Sequence, residues 1–359
     1  MLYKYALWKT RGDSANPMDK GMHGDPGKIL VIRRDNIGDL VCTTPFFAAL
    51  RTRFPDAWIG VLANSYNAPV LAGNPHVNEV FTYTKGKHLA PGQSQWQALW
   101  QRLRLILNLR RRRIDDVILP GGGQASARRF ARWVAPRRVL VAPSTTVGHE
   151  VERSMACLAA YGVTPMNVNA DINALPPCAV MADVALANRL AAHLPPALAG
   201  RRLIALHLSA RKPRQRWPVA HFAELARQLH AASGCGFLLF WSPGTADDAL
   251  HPGDDAKAAE LVALTRDLPL AAVPTHELTE LIAGLSLCDE VICSDGGAMH
   301  IAAGLGKPIV CLFGNSDAAR WRPWHVPHVL LQPESREVAD ISVAEVVTAY
   351  ATLTNESRG

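Results

Sequence analysis

From residue 28 onward the chain alternates short, fully apolar runs with longer stretches of helical period. The run 28–34 (KILVIRR) has an unbroken apolar centre, the mark of a strand buried on both faces in a parallel sheet. Further strands are expected within 55–62 (WIGVL), 78–83 (NEVFTY), 116–120 (DVILP) and 139–141, with helices over 40–53 and 96–113. The segment 147–175 reads as less regular, with His149, Glu150 and Arg153 opening a helix that could carry a contact to an acceptor. The alternation then restarts: strands at 202–208, 236–241, 271–273, 291–293 and 309–313, helices at 220–232, 256–264, 277–287 and 343–353. Such alternation predicts doubly wound α/β units, two in succession with a cleft between them. Pro176-Pro177 and Pro195-Pro196 bracket an alanine-rich helix where the boundary falls. The expected organisation is an extension over 1–27, a first domain over 28–190, a second over 191–335, and a last helix within 336–359 packing back onto the first.

A chain of 359 residues can bury two separate cores. No apolar run reaches the length of a membrane-spanning helix, and the first residues lack the apolar centre of a signal peptide. The seven cysteines form no CxxC pair and no zinc-like cluster, so they read as small buried hydrophobes of a reducing compartment. A cytoplasmic protein is expected, with peripheral contact at the inner face of a membrane left open. The net charge of +7 favours anionic partners. Arginines crowd two stretches of the first half: Arg102, Arg104 and Arg110 to Arg113, then Arg128, Arg129, Arg132, Arg137 and Arg138. They are expected either to meet the phosphates and acidic sugars of an anionic glycolipid or to form solvated helix faces. A nucleic-acid binder is disfavoured, because the chain lacks a recognised module or aromatic stacking platform. No GxGxxG opens either half, which disfavours a dehydrogenase.

Three constellations can carry chemistry. Around Arg33-Arg34-Asp35-Asn36-Ile37-Gly38-Asp39 an acid sits on a glycine turn between a buried strand and a helix, at the sheet edge where open α/β sheets bind ligands. Asp39 there can take a proton from a hydroxyl; the plainer alternative is a helix N-terminal acid favoured by the dipole. Arg33, Asn36, Thr43 and Thr44 are the expected acceptor contacts. In the run 209–218 (SARKPRQRWP), four cations within six residues can hold a diphosphate and offset the charge that builds on it as a leaving group: Arg211, Lys212, Arg214 and Arg216. Asp247 or Asp248, after the strand GFLLFW, can accept from ribose hydroxyls. The third constellation is 289–315, where a strand meets Ser294-Asp295-Gly296-Gly297 and then a helix of small residues carrying His300. Main-chain N–H groups at such a helix start favour an anion.

These motifs, in this order, resemble glycosyltransferase family 9, the ADP-heptose:lipopolysaccharide heptosyltransferases, over nearly the whole chain from residue 28. The resemblance implies the GT-B arrangement of two Rossmann-like halves. It also implies inverting, metal-independent transfer of a heptose or related sugar from a nucleotide-sugar donor to a lipopolysaccharide core acceptor, with no cofactor besides the donor. Asp39 matches the family's presumed general base, and Ser209 its phosphate-binding strand end. Asp295, Gly297 and His300 match a D-T-G-x-x-H motif on the donor side. Three departures stand out: Gln215 replaces a usual lysine, Gly296 replaces the threonine of that motif, and Asp247 stands nearest a usual ribose-binding glutamate. A GT-B enzyme using a different nucleotide sugar, such as a uridine-linked one, is the alternative reading.

Overall fold

The computed structural model describes residues 25–83, 95–143, 146–163, 175–247 and 253–356. All but the last residues of the extension expected over 1–27 therefore lie outside the described residues, as does Asp248.

The first half runs through β1 (Lys28–Ile32), α1 (Ile37–Val41), α2 (Thr44–Arg53), β2 (Trp58–Asn64), β3 (Glu79–Tyr83), α3 (Gln95–Arg111), β4 (Asp116–Leu119), α4 (Ala125–Val134), β5 (Arg138–Val141) and α5 (Glu150–Met155). Its strands pair in parallel in the order β3-β2-β1-β4-β5, with Ile29 opposite both Ile59 and Asp116. Helices cover both faces, so β1 is buried from Ile29 to Ile32; this is the physical reason its sequence shows no polar alternation.

The second half contains α6 (Val184–Ala192), β6 (Leu203–His207), α7 (Val219–Ser233), β7 (Gly236–Trp241), α8 (Asp255–Leu264), β8 (Leu270–Pro274) and α9 (Leu278–Ser286). It continues with β9 (Glu290–Ser294), α10 (Gly297–Gly304), β10 (Ile309–Leu312), α11 (Ala318–Trp321), β11 (His328–Leu331) and α12 (Val343–Glu356). Its six strands are also all parallel, in the order β11-β10-β9-β6-β7-β8.

In each sheet the chain winds outward, then returns to the other side of its starting strand. The reversals fall between β1 and β4 and between β6 and β9. Ligands of open parallel sheets bind outside the carboxyl ends of the strands at such switch points. The loops there are the Asp39 turn and Pro120-Gly121-Gly122-Gly123 in the first half, the Ser209 loop and Ser294-Asp295-Gly296-Gly297 in the second.

Four expectations need correction. The helix expected over 40–53 breaks at Cys42-Thr43 into α1 and α2, because Pro45 has no N–H to continue the ladder and is tolerated only in a first turn. The edge strand β11 was not foreseen; it is four half-buried residues set among prolines. The helix α6, counted with the first domain, packs on α9, so the chain crosses nearer Pro176-Pro177. Finally, α12 packs on α7, β10 and β11, not on the first half: Val346, Ala349, Tyr350 and Leu353 join the second-half core that includes residues of β6, β7, β9, β10, α7 and α8.

One apolar core spans the two halves. Ile37, Leu40, Val41 and Phe46 join Ala298, Met299 and Ile301, and α1 lies directly on α10.

Candidate active site

Asp39 occupies the third position of α1, and its carboxylate is held from three directions. Oδ2 accepts from the main-chain N–H of Asn36 and from its side-chain amide, both at 3.0 Å. Oδ1 accepts from the Arg33 guanidinium at 2.9 Å. Two buried asparagines beneath fix the turn: the Asn64 amide donates to the carbonyls of Arg34 and Asp35 at 3.1 and 2.9 Å, and Asn67 reaches that of Asn36. A Cβ at Gly121 would occupy the space of the Arg33 guanidinium, so the glycine after β4 is part of the same construction. The Asp39 side chain remains 13% exposed, so the oriented carboxylate keeps some access to solvent.

Arg33 itself is buried. Burial works against its charge, but Asp39, Glu150 and Asp35 outweigh it and hold the guanidinium above its ordinary value. Arg33, expected as an acceptor contact, is buried here and holds the Asp39 carboxylate. The Thr43 hydroxyl donates to the Asp39 carbonyl, while that of Thr44 donates to the Val41 carbonyl and accepts from Ala179 N–H. Both are buried, their hydroxyls taken up by carbonyls that the short α1 leaves unpaired. Asn36 stays exposed at the mouth of the turn.

Across the interface, Ser209 Oγ accepts from Ser242 N–H at 2.9 Å, tying the loops that follow β6 and β7. Arg211 and Lys212 are exposed, and the charge of Arg211 reaches the Tyr66 hydroxyl of the first half. Arg214 instead pairs with Glu337 at 2.9 Å, and Arg216 donates to the Ala210 carbonyl of its own loop. Of the four expected cations, Arg214 and Arg216 are thus engaged within the second half, while Arg211 and Lys212 are exposed after β6. Gln215 is buried and donates to Asp295 Oδ2 at 2.7 Å and to Ser316 Oγ at 2.8 Å. A neutral amide here braces the Asp295 carboxylate instead of supplying charge to a phosphate.

Gly296 is exposed with open space where a Cβ would stand, so the N-terminus of α10 and its dipole are open to an anion. Gly297 faces Ile37 of α1. His300 lies one turn along α10 on the face toward α1, only 5% exposed, against Gly38, with Nδ1 3.6 Å from Cys42 Sγ and its ring edge-on to Trp321. It packs at the interface between the halves, within electrostatic reach of both Asp295 and Asp39. Asp247 lies on an exposed turn, and Asp255 organises that loop by accepting from Trp241 Nε1 and Gly244 N–H.

The sequence did not reveal a polar tie between the halves. Glu150, 2% exposed, accepts from Arg33 at 2.5 Å through Oε1 and from Arg320 at 2.7 and 2.9 Å through Oε2. Beside it, His149 Nδ1 accepts from Val151 N–H, which leaves Nε2 to donate to the Arg322 carbonyl at 2.8 Å. Its ring stacks 4.4 Å from that of Trp324, and burial drives its pKa down to about 3. The only sequence signal was the acid-rich opening of α5; Arg33 lies 117 residues from Glu150 and Arg320 170, and both are invisible to local pattern.

A sequence model of glycosyltransferase family 9 (heptosyltransferase) matches residues 117–344. The chain belongs to glycosyltransferase family 9. It is a glycosyltransferase, and the family span takes in the basic loop, the α10 motif and Glu150 but begins after Asp39. Among curated relatives, lipopolysaccharide heptosyltransferase 2 of Salmonella typhimurium is 28% identical over 308 residues, covering 80% of this chain and 83% of the relative. Lipopolysaccharide heptosyltransferase 3 of Escherichia coli is 27% identical over 300 residues, with the same coverage. Of solved structures, a family 9 glycosyl transferase from Veillonella parvula superposes with a TM-score of 0.76 at 18% identity, over 92% of this chain and 97% of that one. ADP-heptose LPS heptosyltransferase II of E. coli gives 0.68 at 22% identity, over 92% and 100%. The fold of this family 9 member is accordingly GT-B, with two Rossmann-like halves.

Proposed function

We propose that this glycosyltransferase moves a heptose from an ADP-linked donor to a sugar hydroxyl of a lipopolysaccharide core, with inversion and without a metal ion. The observation that carries the reading is the Asp39 carboxylate, oriented by Arg33 and Asn36 at one switch point while the open N-terminus of α10 stands at the other. Asp39 accepts the proton of the acceptor hydroxyl as that oxygen attacks the anomeric carbon. The C–O bond to the diphosphate breaks on the opposite face, and the electron pair leaves with the nucleotide. Arg211, Lys212 and the main-chain N–H groups after Gly296 offset the charge gathering on the diphosphate. A single displacement with no covalent intermediate inverts the anomeric centre. The heptose, the ADP and the core acceptor are supported by the names of the curated relatives and of the E. coli structure.

The test is transfer from a panel of nucleotide sugars, ADP-heptose and uridine-linked sugars included, to a heptose-deficient core acceptor with chelator present. ADP-heptose should be consumed, the product linkage inverted by NMR, and Asp39→Asn slower by about 10²–10⁴-fold. A uridine-linked donor used in preference would move the assignment to another donor class, and an undiminished Asp39→Asn would sink the mechanism.

A further inference from the structure

The outer layer of the first half, α3 and α4, carries a surface the transfer step does not use. Ile106, Leu109, Phe130, Ala131 and Val134 seat the two helices on the sheet. The apolar surface of α3 continues beyond that seat into solvent: Trp96 is 73% exposed, Leu99 54%, Trp100 67%, Leu103 42% and Leu107 44%. At 3.6 residues per turn these five fall within an arc of about 100°, beside the buried face and not within it. Trp133 of α4 adds a further exposed ring, with the Arg129 guanidinium over it at 5.7 Å. A continuous exposed stripe of this kind marks a surface that meets a partner.

Charge identifies the partner. Neither α3 nor α4 contains an acid, while Arg104, Arg110 and Arg111 of α3 and Arg128, Arg129 and Arg132 of α4 are exposed. Tryptophan and leucine on one arc with arginines alongside is the composition of a helix lying in the plane of a membrane interface. A nucleic acid would use the arginines but leave the leucines in water. We propose that this layer docks on an anionic phospholipid bilayer, with Trp96 and Trp100 among the headgroups and the arginines against their phosphates.

The topology gives the docking a direction. In a parallel sheet the crossover helix starts at the carboxyl edge, so Trp96 and Trp100, in the first turns of α3, lie at the edge that holds Asp39. The start of α4 is joined to the same turn: Gln124 donates to Asp35 and Arg34 to Ser126 Oγ, both at 3.3 Å. Docking would set the mouth of the site at the bilayer surface, where a lipid-linked acceptor presents its sugar. That last step rests on the proposed transfer reaction; the docking does not.

The experiment uses the full chain with vesicles of mixed phosphatidylglycerol and phosphatidylcholine, and of phosphatidylcholine alone. Binding is read by co-flotation and by quenching of tryptophan fluorescence by brominated acyl chains. The wild type should bind the mixed vesicles, less as salt rises. The combined Arg104→Gln, Arg110→Gln and Arg111→Gln variant should lose affinity on the order of a hundredfold, from about 1 kcal/mol per arginine. Trp96→Ala with Trp100→Ala should lose roughly tenfold or more, together with most of the quenching. Both variants should keep wild-type transfer to a water-soluble core oligosaccharide, which also shows that they fold. Unchanged vesicle binding by the tryptophan variant overturns the proposal. So does a single-stranded oligonucleotide bound as tightly as the vesicles, or a dimer in solution that the tryptophan variant disperses. Failure of the wild type to transfer to the soluble acceptor strikes the reaction assignment and leaves vesicle binding as the measure of docking.

Discussion

Glu150 shows how one buried carboxylate can matter more than any single surface charge. It is the shared partner of Arg33, which orients Asp39, and of Arg320 from the other half. Removing one member of a buried ion pair leaves the others uncompensated, at a cost of about 3–5 kcal/mol. Glu150→Ala is therefore expected to lower the unfolding free energy by about that amount in urea titrations. Arg320→Ala, whose side chain is 37% exposed, should lower it by much less, since water can replace the lost partner. Equal losses for the two would contradict this account. Asp39 stands out in the sequence because an acid on a glycine turn after a buried strand has a chemical meaning by itself, and the base role proposed for it rests on that reading together with its hydrogen bonds. For Arg33, Thr43, Thr44 and His300 the residue type suits a ligand as well as an internal partner, and the burial and internal partners that the structure gives them were not legible in the sequence.

Between elements, the contact of α1 with α10 decides how the cleft closes. Gly38 faces the His300 ring and Gly297 faces Ile37, so each helix approaches the other over a missing side chain. A methyl group at Gly38 would run into the ring, and overpacking of this kind typically costs about 1–3 kcal/mol. Gly38→Ala is expected to lower both stability and kcat/KM, and His300→Ala in the same chain should restore part of the loss. A coupling below about 0.5 kcal/mol in the double-mutant cycle would show that the two positions act independently. The sequence marked both glycines as turn formers, a correct reading of the backbone. Their role in helix approach depends on a partner more than 250 positions away.

For the molecule as a whole, the joint between the halves titrates. His149 is held neutral, its pKa lowered to about 3 by burial, against about 6.5 in the unfolded chain. Between these values the unfolded state binds the proton and the native state does not. Stability from this group is therefore complete above about pH 6.5 and falls as the pH drops toward 3. From pH 7 to pH 5 the loss should be about 2 kcal/mol. His207, lowered to about 4, acts in the same sense, so the contribution of His149 is isolated by comparing wild type with His149→Gln. The variant should be less sensitive to acid by about 2 kcal/mol in denaturant titrations at the two pH values, and identical slopes would remove His149 from the account.

The two doubly wound sheets could be read from the chain because a parallel strand buried on both faces, and the glycine turn that follows it, are consequences of local composition. The same holds for the loops that form the site, which lie wherever a strand ends at a carboxyl edge. Strand order was not local, and neither was the choice of surface for α12: an amphipathic helix needs an apolar partner, and the pattern does not say which one. It packs on β10, β11 and α7 of the second half. Partnership was decided only in three dimensions, where Glu150 meets Arg320, His149 meets Trp324 and Gln215 meets Asp295. Each of these contacts depends on residues far apart in the chain arriving side by side, at 2.7 Å for the two polar pairs and 4.4 Å between the ring centroids, which no local periodicity encodes.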